Sequence, residues 1–134
     1  MANRHPAILI VTVAIVAVLS YLIVAQITYP WRGAAAGFLL GAFAGVLVWF
    51  AKTRRHAVAR GIISVGATAI AAPAAGLAAA QNDFLFNIIT DDGDLNDAAF
   101  DGYEAAMATG LTLLWMGAIA ALVLFITGWR LHRR

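Results

Sequence analysis

Four stretches of the chain, residues 7–25, 33–51, 61–80 and 105–129, contain no Asp, Glu, Lys, Arg or His. Each is close to or beyond the roughly 20 apolar residues that an α-helix needs to cross the hydrocarbon core of a bilayer. The pattern predicts an all-α integral membrane protein of one domain, residues 1–134, with four transmembrane helices at about 7–29, 33–51, 61–80 and 105–129. Composition agrees, with 63% of residues hydrophobic and 12% charged, where soluble domains carry about a quarter charged residues. Arg4 and His5 precede the first run as they would in a secretory signal. The run outlasts the usual signal core of about 7–15 residues, and Ile23-Val24-Ala25 is a poor cleavage site, so we read it as a span. Tyr29 and Trp31 after the first run, and Trp49 and Phe50 ending the second, are aromatics of the membrane–water interface. Pro30 is expected to end the first helix, and the link of Tyr29, Pro30, Trp31 and Arg32 makes helices one and two antiparallel neighbours.

Charge is segregated between the junctions. All seven acidic residues (Asp83, Asp91, Asp92, Asp94, Asp97, Asp101 and Glu104) fall in or beside one loop, residues 81–104, between the third and fourth helices. Eight of the nine basic residues (Arg4, Lys52, Arg54, Arg55, Arg60, Arg130, Arg133 and Arg134) fall at three other junctions, and only Arg32 breaks the pattern. Four spans place both termini on one face, together with those eight. The positive-inside bias makes that face cytoplasmic and the acidic loop extracytoplasmic. A bacterial inner membrane is the expected location.

Small residues suggest how the helices pack. Gly33, Gly37, Gly41 and Gly45 recur every four residues in the second run. At 3.6 residues per turn they form a slanting stripe, which lets a second backbone approach closely. The partner of that stripe, inside the protein or in another subunit, is left open. The third run is mostly Ala and Gly, which suits a helix buried among others, and Pro73 near its middle should kink it. Ala106, Gly110, Gly117 and Ala121 give the fourth run a second small stripe. The β-branched first helix looks the most lipid-facing.

The apolar interior narrows the functional classes. Ion and proton paths usually use at least one ionisable group inside the membrane, and the four runs offer only Thr12, Ser20, Tyr21, Ser64, Thr68, Thr109, Thr112 and Thr127 as polar side chains. Haem held between helices would need axial ligands at membrane depth, yet His5, His56 and His132 all lie at the basic edge. The absence of cysteine removes thiolate chemistry and cysteine-bound metals. No nucleophile–base–orienter set can be assembled. We therefore expect no enzyme activity, no cofactor and no nucleic-acid binding.

The two polar segments remain. Asp92, Asp94 and Asn96 have the spacing of the first ligands of a calcium loop, but Asp97 stands where the glycine belongs and Tyr103 where the bidentate glutamate belongs. They are a weak calcium candidate. Asn96 or Asp97 is placed to cap the fourth helix, and Phe84, Leu85, Phe86, Ile88 and Ile89 to lie along the interface. Asp91, Asp92, Asp94, Asp97 and Asp101 together would steer a basic extracytoplasmic protein. Lys52, Arg54, Arg55 and Arg60 suit anionic lipid head groups. The function expected from all this is a non-catalytic accessory subunit of a larger inner-membrane complex, packed against other membrane subunits through its Gly/Ala faces. The alternative is a small homo-oligomeric channel or transporter, with Ser64, Thr68, Thr109 and Thr112 lining a pore.

Overall fold

The computed structural model describes residues 5–134, so Arg4 lies outside it. The described chain forms four α-helices: α1 (Pro6–Ile27), α2 (Pro30–Trp49), α3 (Arg54–Asn87) and α4 (Asp97–Arg133). Each is long and apolar enough to cross a membrane.

The helix ends depart from the expected boundaries for local reasons. Pro30 opens α2 instead of closing α1, because its missing N–H is one that a first helical turn leaves unbonded anyway. Trp31 and Arg32 therefore belong to the first turn of α2, and the link shrinks to Thr28 and Tyr29. Most of the basic segment is helical too: Thr53 caps α3, its hydroxyl accepting from His56 N–H at 3.1 Å, so Arg54, Arg55 and Arg60 lie on α3. At the far end α3 continues through Phe84, Leu85 and Phe86 to Asn87, and α4 begins at Asp97. The acidic loop of residues 81–104 thus contracts to a link of residues 88–96 between two helices that extend beyond their apolar spans.

α1 and α3 form the middle of the bundle. α1 packs along α2, α3 and lightly along α4, α3 touches all three others, and α2 and α4 stand on opposite flanks without contact. The buried stripe of α1 is Thr12, Val16, Ser20, Val24 and Ile27. This corrects the expectation that α1 faces lipid most: the apolar window of α4 is 17% buried, that of α1 22% and that of α3 39%. The chain order explains the difference, since α4 flanks the bundle and has only α3 as a broad neighbour.

The small residues make close packing possible. A methyl added at Gly33 would stand 2.8 Å from the Tyr21 carbonyl oxygen, and one at Gly37 2.8 Å from that of Ala17. Gly45 meets the Val13 side chain at 3.1 Å, whereas Gly41 has ordinary room, 3.6 Å to Ala17. The whole ladder faces α1. On α4, Gly110 faces Leu77, Gly117 the Ala69 backbone, and Gly128 Ile63 and Ala59, so this second stripe faces α3. The glycines of both small faces thus pack within the protein, the ladder of α2 against α1 and those of α4 against α3.

Candidate functional site

The structure gathers its polar groups at the two ends of the bundle. At one end Arg32, in the first turn of α2, meets Asp83 near the end of α3. Nη1 and Nη2 donate to the two carboxylate oxygens of Asp83, both at 2.6 Å. Nη1 also donates to Thr28 Oγ1 at 3.1 Å and to the Ala79 carbonyl at 3.3 Å. The guanidinium lies 5.1 Å from the Trp31 ring and 5.5 Å from that of Tyr29. A planar guanidinium fits a carboxylate bidentately, and here the fit ties the α1–α2 link to α3. The exception in the charge pattern and the first carboxylate after the third span are thus partners. Their position at matching ends of neighbouring spans is the signal in the sequence that points to the pair.

Beside this pair opens a cleft of about 460 Å³, bounded by the end of α1, by Asp83, Phe84 and Asn87 of α3, and by Gly102 and Tyr103 of α4. Phe84 stacks on Tyr103 at 4.5 Å and meets Phe100 edge-on at 5.0 Å, which fastens the two long helix extensions together. The cleft holds no assembled general base, because both oxygens of its carboxylate, Asp83, accept from Arg32.

The link itself is a small hairpin. Asn96 N–H donates to the Ile88 carbonyl at 2.9 Å, Thr90 N–H to Asp94 at 2.8 Å and Gly93 N–H to Thr90 at 2.9 Å. Gly93 takes φ +85, a left-handed conformation that glycine adopts without strain. Asn96 serves the fold at both ends of its amide: Oδ1 accepts from Ala99 N–H at 3.3 Å as the cap of α4, and Nδ2 donates to the Asn87 carbonyl at 2.9 Å. Of the calcium candidates Asp92, Asp94 and Asn96, the last is therefore spent on the fold. No group of three or more carboxylates or imidazoles is arranged for a metal among the described residues. Asp91, Asp92, Asp94, Asp97 and Asp101 are all exposed, and none has an ion-pair partner among the described residues.

Three of the interior hydroxyls close onto their own helices. Ser20 donates to Val16 O at 2.6 Å, Ser64 to Arg60 O at 2.7 Å and Thr68 to Ser64 O at 2.8 Å. Thr112 donates to Ala108 O at 2.9 Å, but from an exposed position on α4. Ser64 and Thr68 are buried while Thr112 faces outward, so the four hydroxyls expected to line a pore share no channel within one protein.

The opposite end is basic. Val48 and Ala51 pack there on Ala57, with Ile8 and Leu9 against them, and the His56 and His132 rings lie 4.6 Å apart. Arg60 Nη1 donates to the Leu47 carbonyl at 3.0 Å and so closes the last turn of α2. Lys52, Arg54 and Arg55 are exposed. Arg130, Arg133 and Arg134, whose sequence positions speak only to topology, border a groove between α3 and α4. Comparison of the chain with protein-family models, with curated proteins and with solved structures finds no match.

Proposed function

We propose that the protein is a non-catalytic, structural subunit of a larger assembly in a bacterial inner membrane, such as a respiratory, photosynthetic or transport complex, with both termini cytoplasmic. The observation that carries this reading is the state of the interior. The buried polar residues are Thr12, Ser20, Ser64 and Thr68, and the last three each donate to a carbonyl one turn back on the same helix. None of the four carries a charge to offer an ion, and Ser20, Ser64 and Thr68 have no free donor to offer a substrate. What the protein can offer is surface. Its outer faces are bulky and apolar, with Phe38, Phe43, Trp115 and Ile119 exposed, and its outer cap carries unpaired carboxylates that suit a basic extracytoplasmic partner.

Native mass spectrometry of the tagged protein, gently extracted from its own membranes, tests this. Unrelated membrane subunits at fixed stoichiometry are the expected result. Recovery solely as a monomer overturns the reading. Recovery solely as a homo-oligomer overturns it in favour of a channel formed between copies, and flux into reconstituted vesicles would then be measured.

A further inference from the structure

Basic residues form two groups at one end of the bundle, and they differ in what surrounds them. Lys52, Arg54 and Arg55 are exposed and border none of the main cavities. Arg60 is committed to the Leu47 carbonyl. Arg130, Arg133 and Arg134 instead stand at the rim of a groove of about 810 Å³, whose walls are Ile63 of α3 and Phe125, Ile126 and Trp129 of α4. We propose that this groove binds one acidic phospholipid, an acyl chain lying along Ile63, Phe125 and Ile126 and the head-group phosphate held by Arg130, Arg133 and Arg134.

Three features select that occupant. The first is register: positions 126, 130 and 133 lie on one face of α4 at helical spacing and Arg134 caps its end, so apolar contacts run directly into cationic ones. That order is the order of a lipid from chain to head group. The second is unbalanced charge. All seven carboxylate side chains lie between Asp83 and Glu104, and the one ion pair among the described residues, Arg32–Asp83, is at the far end of the bundle. Guanidiniums without a protein anion, at the mouth of an apolar groove, fit a phosphate that the membrane supplies. A second copy of the chain would bring like charges to the same rim. The third is depth. Trp129 lines the groove beside the arginines and is exposed, and the Arg133 guanidinium lies 5.9 Å from its ring. An indole at that position marks the level of the head groups. The inference requires only that the helices span a bilayer, and it stands whether or not the protein serves a larger complex.

The test uses the full chain reconstituted in phosphatidylcholine vesicles, with spin-labelled phosphatidylglycerol competing against spin-labelled phosphatidylcholine. The wild type should select phosphatidylglycerol about fivefold or more, the factor that one engaged arginine supplies. R130Q/R133Q/R134Q should lose most of that selectivity, and K52Q/R54Q/R55Q should keep it. Ile126→Trp, which fills the groove from an exposed position without changing charge, should also lose it. R130K/R133K/R134K preserves the charge should the neutral triple fail to fold, and its selectivity should disappear when Ile126→Trp is added. Selectivity that survives Ile126→Trp, or that follows the Lys52, Arg54 and Arg55 group, overturns the proposal.

Discussion

Gly117 should be the least replaceable position on α4. Pro73 carries no N–H and so leaves the Ala69 carbonyl without its partner one turn ahead. Ala69, Ala72 and Pro73 are all buried, so no water reaches that oxygen cheaply. Gly117 packs directly on it: a Cβ built there would overlap the Ala69 oxygen and stand 2.9 Å from its carbonyl carbon. The glycine backbone thus covers an orphaned acceptor, where a Cα–H···O contact contributes roughly 0.5–1 kcal/mol. In Gly117→Ala the obstacle is backbone, so no rotamer change relieves it and α3 and α4 must separate. Overpacking of this kind costs about 1–3 kcal/mol, and the contact is lost besides. Replacing glycine in a helix returns up to about 1 kcal/mol. The net expectation is a loss of about 2–3 kcal/mol. Gly102→Ala is the internal control. It lies on the same helix with nothing within 4 Å of the added methyl, so it should be neutral or stabilising by up to about 1 kcal/mol. Both are read by titrating the protein in mixed micelles with a denaturing detergent while following helix content. If the two variants unfold together, or if Gly117→Ala matches the wild type, the account of the Pro73–Ala69–Gly117 contact is wrong.

Within the α2 ladder the glycines should not be equivalent. Gly37→Ala meets the Ala17 carbonyl oxygen at 2.8 Å, while Gly41→Ala has 3.6 Å to its nearest neighbour. The first should therefore cost about 1 kcal/mol and the second should be neutral or slightly stabilising in the same titration; equal effects would refute the assignment of that face to α1. A double-mutant cycle of Arg32→Gln and Asp83→Asn should give a coupling of about 1 kcal/mol, because the pair is bidentate but partly exposed. Additive single effects would mean that the ion pair does not hold the α1–α2 link to α3. Asn96→Ala removes both the α4 cap and the bond to Asn87, a loss of about 1 kcal/mol. Amide exchange should quicken at residues 97–100 and stay unchanged in the spans; a uniform change along the chain would contradict a local role.

The sequence made the helices legible because lipid imposes a coarse rule on length and apolarity. Their extensions were hidden by the same rule. Residues 81–87 and 97–104 are polar enough to read as loop, yet the Phe84–Tyr103 and Phe84–Phe100 contacts keep them helical beyond the membrane-length run. Which helix is central was also illegible. α1 is mostly apolar, and the one cue that separates its buried stripe of Thr12, Val16, Ser20 and Val24 from the exposed one of Ile10, Val18 and Leu22 is that the hydroxyls of Thr12 and Ser20 share a face, which marks a face but not a central helix. The partner of the glycine ladder was beyond reach for a related reason. Periodicity tells which face is small but not what the face meets, and every neighbouring helix offers a backbone. The Arg32–Asp83 pair was legible in principle, since two charges at matching ends of adjacent spans have few other partners.

This placement changes which perturbations bear on function. A bulky residue at Gly41 or Gly117 spreads α1 from α2 or α3 from α4, so any loss of assembly or flux that followed would report damage to the bundle itself. Polar contact between this protein and a partner must instead come through groups that the fold leaves free. On the acidic cap those are Asp91, Asp92, Asp94, Asp97, Asp101 and Glu104, exposed and unpaired among the described residues. Asp83 and Asn96 on the same cap are already committed to Arg32 and to α4. The cap therefore divides into a structural layer next to the membrane and a free layer above it. Asp97 also stands in the first turn of α4, where its charge favours the helix N-terminus, so neutralising Asp91, Asp92 and Asp94 alone leaves the helices untouched, and the effect on a bound partner can then be read without confusion with folding.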